Sequence, residues 1–316
     1  MIYAPIILFV YNRPEHTKKT VEALKKNIGA ENSILYIFSD GPKEKSKETV
    51  EEVRKYIKTI QGFREVNIVL REKNMGLAES VIAGVTEVVG KHGRVIVLED
   101  DLVTTPFLLT YMNEALEKYE DEKKVFSITG YSDFPKGNRK LAETYFVETA
   151  HSWTWATWKD RWVYFDPLAT GWEELKTNYQ LRKKFDYYGT YKKSQMLFQQ
   201  MEEHSIDSWL IRWCYTIFKQ KGLTLYPNKS LCENIGRDGT GVHCKPNNER
   251  IQYELQEAKI QFFPQEICEL EETRKQFIAM GRRVKIDHYR ERCKYYLLHP
   301  FRVTQKLRSM TKSHRM

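Results

Sequence analysis

The chain has 316 residues, 41% hydrophobic and 13% aromatic, which excludes a disordered protein and is enough for a large core. Its net charge of +9 lies wholly in residues 281–316, where eleven basic residues face two acidic ones; the first 280 balance at 40 against 40. That balance argues against a whole-protein polyanion binder, and no nucleic-acid partner is expected.

The first hundred residues repeat one pattern: a short apolar run, a polar turn, then apolar residues at helical spacing. This predicts a parallel sheet with crossover helices, an α/β fold. Ile6 to Val10 runs into Asn12-Arg13-Pro14, where the proline suits a first helical turn, and Val21, Leu24 and Ile28 mark the helix's buried stripe. Ile34 to Phe38 follows, ending at Ser39-Asp40-Gly41-Pro42, and the next helix carries Val50, Val53, Ile57 and Ile60 on one face. A third strand, Val66 to Leu70, leads through Asn74-Met75-Gly76 into a helix with Leu77, Val81, Val85 and Val88. The fourth, Val95 to Leu98, is wholly apolar and stops against Glu99-Asp100-Asp101.

Beyond it come a helix from about Pro106 to Tyr119 and strands near Phe126 to Thr129 and Tyr145 to Val147. Five of the seven tryptophans then fall between His151 and Trp172. Trp155, Trp158 and Trp162 stand at helical spacing and read as core, leaving one or two of the block to stack on a sugar. A helix from Ser208 to Lys219, a strand from Leu223 to Tyr226 and the glycine-rich 236–241 follow. The expected divisions are 1–124, 125–246 and a helical basic extension, 247–316, with one sheet shared by the first two. No apolar run approaches the roughly 18 residues that span a bilayer, and the early Ile6 to Val10 run lacks a basic leader, so the cytoplasm is the expected compartment. Five cysteines without a Cys-x-x-Cys pair indicate neither a disulfide framework nor a thiolate zinc site.

In an open parallel sheet, ligands bind beyond the carboxyl ends of the strands. The polar residues there are Tyr11, Asn12 and Arg13, then Asp40, then Arg71, then Glu99-Asp100-Asp101. Three adjacent carboxylates repel one another, and a divalent cation with a phosphate ligand is an economical way to keep them ionised. The alternative is a solvated turn capping the helix near Pro106. Asp40 likewise reads either as a ligand group or as an Asp-Gly-Pro turn former, and Arg13 and Arg71 in isolation read as surface cations.

Together, Phe9-Val10-Tyr11-Asn12-Arg13-Pro14, Asp40-Gly41, Asn74-Met75-Gly76-Leu77-Ala78 and Leu98-Glu99-Asp100-Asp101 resemble a nucleotide-sugar-dependent glycosyltransferase of the GT-A fold. The likeness is to bacterial family 2 enzymes and, in the Glu-Asp-Asp form, to N-acetylglucosaminyltransferase I. Ile206-Asp207-Ser208-Trp209 and Gly239-Thr240-Gly241-Val242-His243 extend it, in order, over residues 4 to 245; the tryptophan block departs from that relative's pattern. The resemblance implies that Tyr11, Arg13, Asp40 and Arg71 hold uridine and diphosphate, that Glu99 and Asp100 lie at the nucleotide-sugar, and that Asp101 binds a divalent metal, Mn2+ or Mg2+. His243 is a second candidate ligand. Asp207 takes the position of the general base, its alternative being the N-cap of the helix at Ser208, with Glu202, Glu203 and Asp160 the next carboxylates in line.

The activity implied is an inverting transfer from a UDP-sugar to a hydroxyl of a glycan or lipid-linked saccharide. A nucleotidyltransferase is the competing enzyme class, though it usually carries a glycine-rich phosphate loop after the first strand, where this chain has Tyr11-Asn12-Arg13-Pro14. A basic-tail binding protein is the non-enzymatic alternative. In that tail Ile286, Tyr289, Cys293 and Tyr296 recur at helical spacing among basic residues, which suits either an anionic inner membrane surface or a helix packed on the domain.

Overall fold

The computed structural model describes residues 3–236, 238 and 253–298, giving only the backbone for 287–289 and 291–298. Its strands are β1 (Ile6–Val10), β2 (Ile34–Ser39), β3 (Glu65–Leu70), β4 (Arg94–Glu99), β5 (Leu102–Thr104), β6 (Val125–Thr129), β7 (Thr144–Val147), β8 (Trp155–Trp158), β9 (Leu223–Pro227) and β10 (Cys232–Asn234). Eight of them form one sheet in the order β3-β2-β1-β4-β8-β6-β9-β7, while β5 and β10 make a separate antiparallel ribbon. The sheet therefore carries strands from both sides of residue 124. The strands β3, β2, β1 and β4 are mutually parallel, and β8 enters antiparallel between β4 and β6.

The helices are α1 (Pro14–Lys25), α2 (Lys47–Ile57), α3 (Leu77–His92), α4 (Leu108–Lys118), α5 (Lys159–Trp162), α6 (Glu174–Thr177), α7 (Tyr179–Phe185), α8 (Lys193–Met201), α9 (Trp209–Lys219) and α10 (Glu271–Leu298). One face of the sheet packs on α1, α2 and α4 through Val21, Leu24, Val53, Ile57 and Met112; the other packs on α3 and α9 through Val81, Val85, Val88, Trp213 and Ile217. Coverage on both faces explains why β1, with every residue buried, is an unbroken apolar run. α1 starts on Pro14, whose missing N–H costs nothing at that position. It ends at Lys25, so Ile28 lies beyond it and is 55% exposed rather than part of the stripe; Leu77, in the first turn of α3, is exposed as well.

The tryptophan block corrects a second expectation. Trp155–Trp158 is a strand, not a helix, and its two tryptophans face opposite cores: Trp158 packs with the α4 layer and Trp155 with Trp162, Trp209 and Trp213. A four-residue strand covered on both faces shows no alternation, so a three-residue interval mimics helical spacing. Because β8 runs antiparallel, residues 151–154 arrive at the carboxyl edge of the parallel strands, where Thr154 accepts from the Gly130 N–H at 2.8 Å. Lys159 leaves at the opposite edge, bonded to Gly93 just before β4. Asp160 lies there, paired with Lys123 and Arg161, which removes it from the carboxylates near the ligand edge.

The start of α10 is docked on the domain: Phe277 is fully buried among Phe134, Tyr145, Tyr187 and Tyr226. Farther along, Val284 and Ile286 are exposed. The side chains of Tyr289, Cys293 and Tyr296 lie outside the described residues. Among the described residues no helix is long and apolar enough to cross a membrane.

Candidate active site

Four parallel strands deliver polar residues to one edge. Tyr11 and Arg13 follow β1, Asp40 follows β2, Arg71 follows β3, and Glu99 closes β4, with Asp100 and Asp101 turning the chain into β5. Arg13 reaches over to pair with Asp100 and, through Nη1, with Asp101 Oδ2 at 3.1 Å. The Tyr11 N–H donates to Asp100 Oδ2 at 3.4 Å, and the Thr20 hydroxyl to the Asp100 carbonyl at 2.8 Å. Both aspartates are buried, and α4 begins only at Leu108 with Phe107 before it, so the acidic turn is neither solvated nor a helix cap. Repulsion within the triad is met in the first place by Arg13.

The electrostatics bear the mark of that crowding. Burial pushes Asp100 up to about 6 and Asp101 adds to the effect, while Arg13 pulls against it. Burial, then Asp101 and Asp100, pushes Glu99 up to about 8, with Arg13 again opposing. A carboxyl whose folded pKa exceeds its unfolded value binds more protons in the native state, so its contribution to stability falls as pH rises between the two values. For Glu99 that window runs from about 4.5 to about 8. Glu99→Gln, which imitates the protonated form, is expected to raise the melting temperature at pH 8.5 by a few degrees, for about 1 kcal/mol, and to change little at pH 5. Equal shifts at the two values, read by thermal melts, would contradict this reading of Glu99.

Asp40 is a clamp. Its Oδ1 accepts from the N–H groups of Gly41 (2.8 Å) and Met75 (2.9 Å), and its Oδ2 from the Asn74 side chain and the Gly76 N–H, both at 3.0 Å. The carboxylate thus fixes the loop that opens α3, whose Gly76 sits at φ 79°, a left-handed conformation that glycine adopts without penalty. The Tyr11 hydroxyl bonds to Ser46 Oγ at 2.7 Å and accepts from the Lys43 N–H at 3.2 Å. Arg71 lies over the Phe38 ring at 5.5 Å, and its Nε is buried with no hydrogen-bond partner among the described residues.

Asp207 comes to the same loop from the other half of the chain. A Cβ built on Gly76 would lie 3.8 Å from Asp207 Oδ2. Its Oδ1 pairs with Arg212 Nη2 at 3.1 Å, and the side chain is 55% exposed. Capping falls instead to Ser208, whose hydroxyl accepts from the Ile211 N–H at 3.3 Å, so Asp207 is not spent as an N-cap. Glu202 is paired with Lys176, and Glu203 accepts from the Ser205 hydroxyl.

The glycine-rich segment begins against the acidic turn. The Ile235 N–H donates to the Asp101 carbonyl at 2.9 Å, and a Cβ on Gly236 would fall 2.2 Å from Asp101 Oδ2, so any side chain there would push the Asp101 carboxylate aside. Asp238 pairs with His16 Nε2 of α1 at 3.1 Å. His243 lies outside the described residues. Two contributors escaped the sequence. Arg54 donates to the carbonyls of Arg71 (2.6 Å) and Asp40 (3.3 Å), tying two strand ends together, and Thr20 holds the acidic turn. Both looked like ordinary polar positions of amphipathic helices.

The donor set decides which metal chemistry fits. Among the described residues no three His, Cys, Asp or Glu side chains gather to hold a metal. Asp101 supplies one hard carboxylate oxygen, already shared with Arg13. That fits a Mg2+-type ion held by one or two carboxylates plus substrate phosphates, and does not fit an ion caged by protein alone.

The family description that matches the chain is Glycosyl transferase family 2, over residues 6–192. The chain belongs to this family. The match begins on β1, takes in the acidic turn and ends in the connection before α8, more than half of the chain. The family 2 fold is of the GT-A type, with its large mixed sheet between helical layers. Similar solved structures include a mannosyltransferase, PcManGT, from Pyrobaculum calidifontis in complex with GDP-Man and Mn2+, at 11% identity and TM-score 0.39 over 50% of this chain and 45% of that one. Others are S. aureus TarS 1–349, at 11% identity and TM-score 0.35 over 49% and 47%, and a cytidylyltransferase from Leptospira borgpetersenii, at 11% identity and TM-score 0.32 over 52% and 64%. The chain spans less than half the length of the first two. No curated protein sequence matches it.

Proposed function

We propose that this family 2 protein transfers a sugar from a nucleoside-diphosphate sugar, a UDP-sugar in the first instance, to a hydroxyl of a glycan or lipid-linked saccharide, with inversion at the anomeric carbon. The observation that carries the reading is the convergence, at the carboxyl edge of β1 to β4, of Arg13, Arg71 and the Glu99-Asp100-Asp101 turn with Asp207 from the other half of the chain. Two guanidinium groups suit a diphosphate, which two parallel N–H donors of a guanidinium can hold. The uridine preference rests on the resemblance carried by Tyr11, Arg13 and Asp40.

On this reading Tyr11 and Asp40 set the walls of the nucleotide site, Arg13 and Arg71 orient the diphosphate, and Asp100 stands at the sugar. Asp101 would hold a divalent cation together with donor phosphate oxygens, and that ion would offset the charge of the departing diphosphate. Asp207 accepts the acceptor's proton, and Arg212 holds its carboxylate in place. The basic segment after Met280 is the part suited to an anionic membrane surface.

The test is calorimetric titration of UDP, GDP and CDP into the protein with Mn2+ and with EDTA. UDP is expected to bind in the micromolar to millimolar range with Mn2+, and Mn2+ without nucleotide only weakly. A stronger response to GDP or CDP would reassign the donor, and no binding of any nucleoside diphosphate would overturn the transferase reading.

A further inference from the structure

An aromatic cluster stands at the ligand edge outside the residues assigned to the donor. Tyr131 follows β6, His151 and Trp153 precede β8, and Tyr253 comes from the segment leading to α10. The Tyr131 and His151 rings stack with centroids 3.9 Å apart, and Trp153 meets Tyr131 edge-on at 4.7 Å and Tyr253 at 6.2 Å. The Tyr131 and Tyr253 hydroxyls are 3.2 Å apart. Six of the seven tryptophans are buried in the core; Trp153 alone is half-buried, as are His151 and Tyr253, with the buried Tyr131 as their base.

The stretch 231–235, with the strand β10 at its centre, measures how far the cluster's backbone lies from the acidic turn. Before β10 Leu231 donates to the carbonyl of Gly130, the residue before Tyr131; after it Ile235 donates to the carbonyl of Asp101. Four near-extended steps of about 3.4 Å put these two contacts roughly 14 Å apart, farther than one sugar ring reaches. Tyr253 also lines an open surface cleft with Lys136, Lys229 and Gln256.

A pyranose has an apolar C–H face that packs on an aromatic ring, and its hydroxyls bond at the rim. A single sugar could occupy the reaction centre or the aromatic cluster, but not both. We propose that Trp153, based on Tyr131 and flanked by His151 and Tyr253, is a stacking platform for an inner residue of an oligosaccharide acceptor, so that the protein extends glycans rather than single sugars. This rests on the glycosyltransferase reading above.

The test uses the full chain on an array of immobilised neutral and acidic glycans, from single sugars to hexasaccharides, with UDP binding measured in parallel. Wild-type protein is expected to retain a subset of glycans of two or more residues and no single sugars. Trp153→Ala should lose that signal at least tenfold, Trp153→Phe should keep a larger part of it, and both should bind UDP as wild type does, which certifies their folding. If wild-type protein binds UDP but no glycan, or if Trp153→Ala keeps glycan binding within twofold, the platform is wrong and the donor reading stands. If UDP, GDP and CDP all fail to bind as well, the transferase reading falls and takes the platform with it.

Discussion

Asp101→Asn is expected to lower turnover by about 10²- to 10³-fold, corresponding to several kcal/mol of transition-state stabilisation, and to erase the difference between UDP binding in Mn2+ and in EDTA. Asparagine keeps the shape of the side chain and an oxygen that can still accept from Arg13, so the turn into β5 has no reason to collapse. What it removes is the charge. Two roles for Asp101 make different predictions here. If it serves only as a counter-ion to Arg13, the substitution shifts thermal stability while UDP affinity responds to EDTA as before. If it anchors a cation that arrives with the diphosphate, thermal stability without nucleotide changes little and the EDTA response disappears. Calorimetry on the wild type and the variant, with melts of each in the absence of nucleotide, separates the two, and an EDTA response that survives in the variant would remove Asp101 from metal binding.

The first hundred residues were legible because β1 and the cores of β2 and β4 are apolar runs followed by polar turns. Burial on both faces writes such strands into the sequence without alternation, and Pro14, Gly76 and Gly93 mark the helix boundaries. Asp100 and Asp101 stood out for the same reason, as charges placed directly after a core strand. The second half was harder. β8 has only four residues, two of them tryptophans, and nothing in Trp155-Ala156-Thr157-Trp158 tells a central strand from a helical turn. β5 and β10 have three residues each, and their pairing joins positions more than 120 residues apart, which no local pattern records. The charge partners were also invisible. Arg13 in isolation read as a surface cation, yet it satisfies two carboxylates some 87 residues away. Asp40 looked like a turn former or a ligand group, and its carboxylate proves to be filled by the loop that opens α3. Such links follow from which strands become neighbours.

Asp207→Asn should leave UDP affinity and folding nearly intact and reduce turnover by about 10²- to 10⁴-fold, the usual contribution of a positioned general base. A single displacement needs the acceptor oxygen to enter opposite the leaving diphosphate, so the base must come from a segment other than the acidic turn after β4. Asp207 meets that condition: it stands just before α9 and approaches the Gly76 loop from the second half of the chain. Ser208 does the capping, so the Asp207 carboxylate is not spent as the helix cap, and it pairs with Arg212. Arg212 is itself buried and bonded to the Ser208 carbonyl at 3.1 Å, which makes it a rigid support for the carboxylate. Asparagine can still accept from Arg212 through its amide oxygen while losing the basic oxygen, so a loss of turnover without a loss of UDP affinity reports proton transfer. Arg212→Lys, which keeps the charge and loses the two-point geometry, is expected to fall between the wild type and Asp207→Asn. Near-normal turnover in Asp207→Asn, or retention of the anomeric configuration in the NMR spectrum of the product, would reject this mechanism and turn attention to Glu202 and Glu203 at the end of α8.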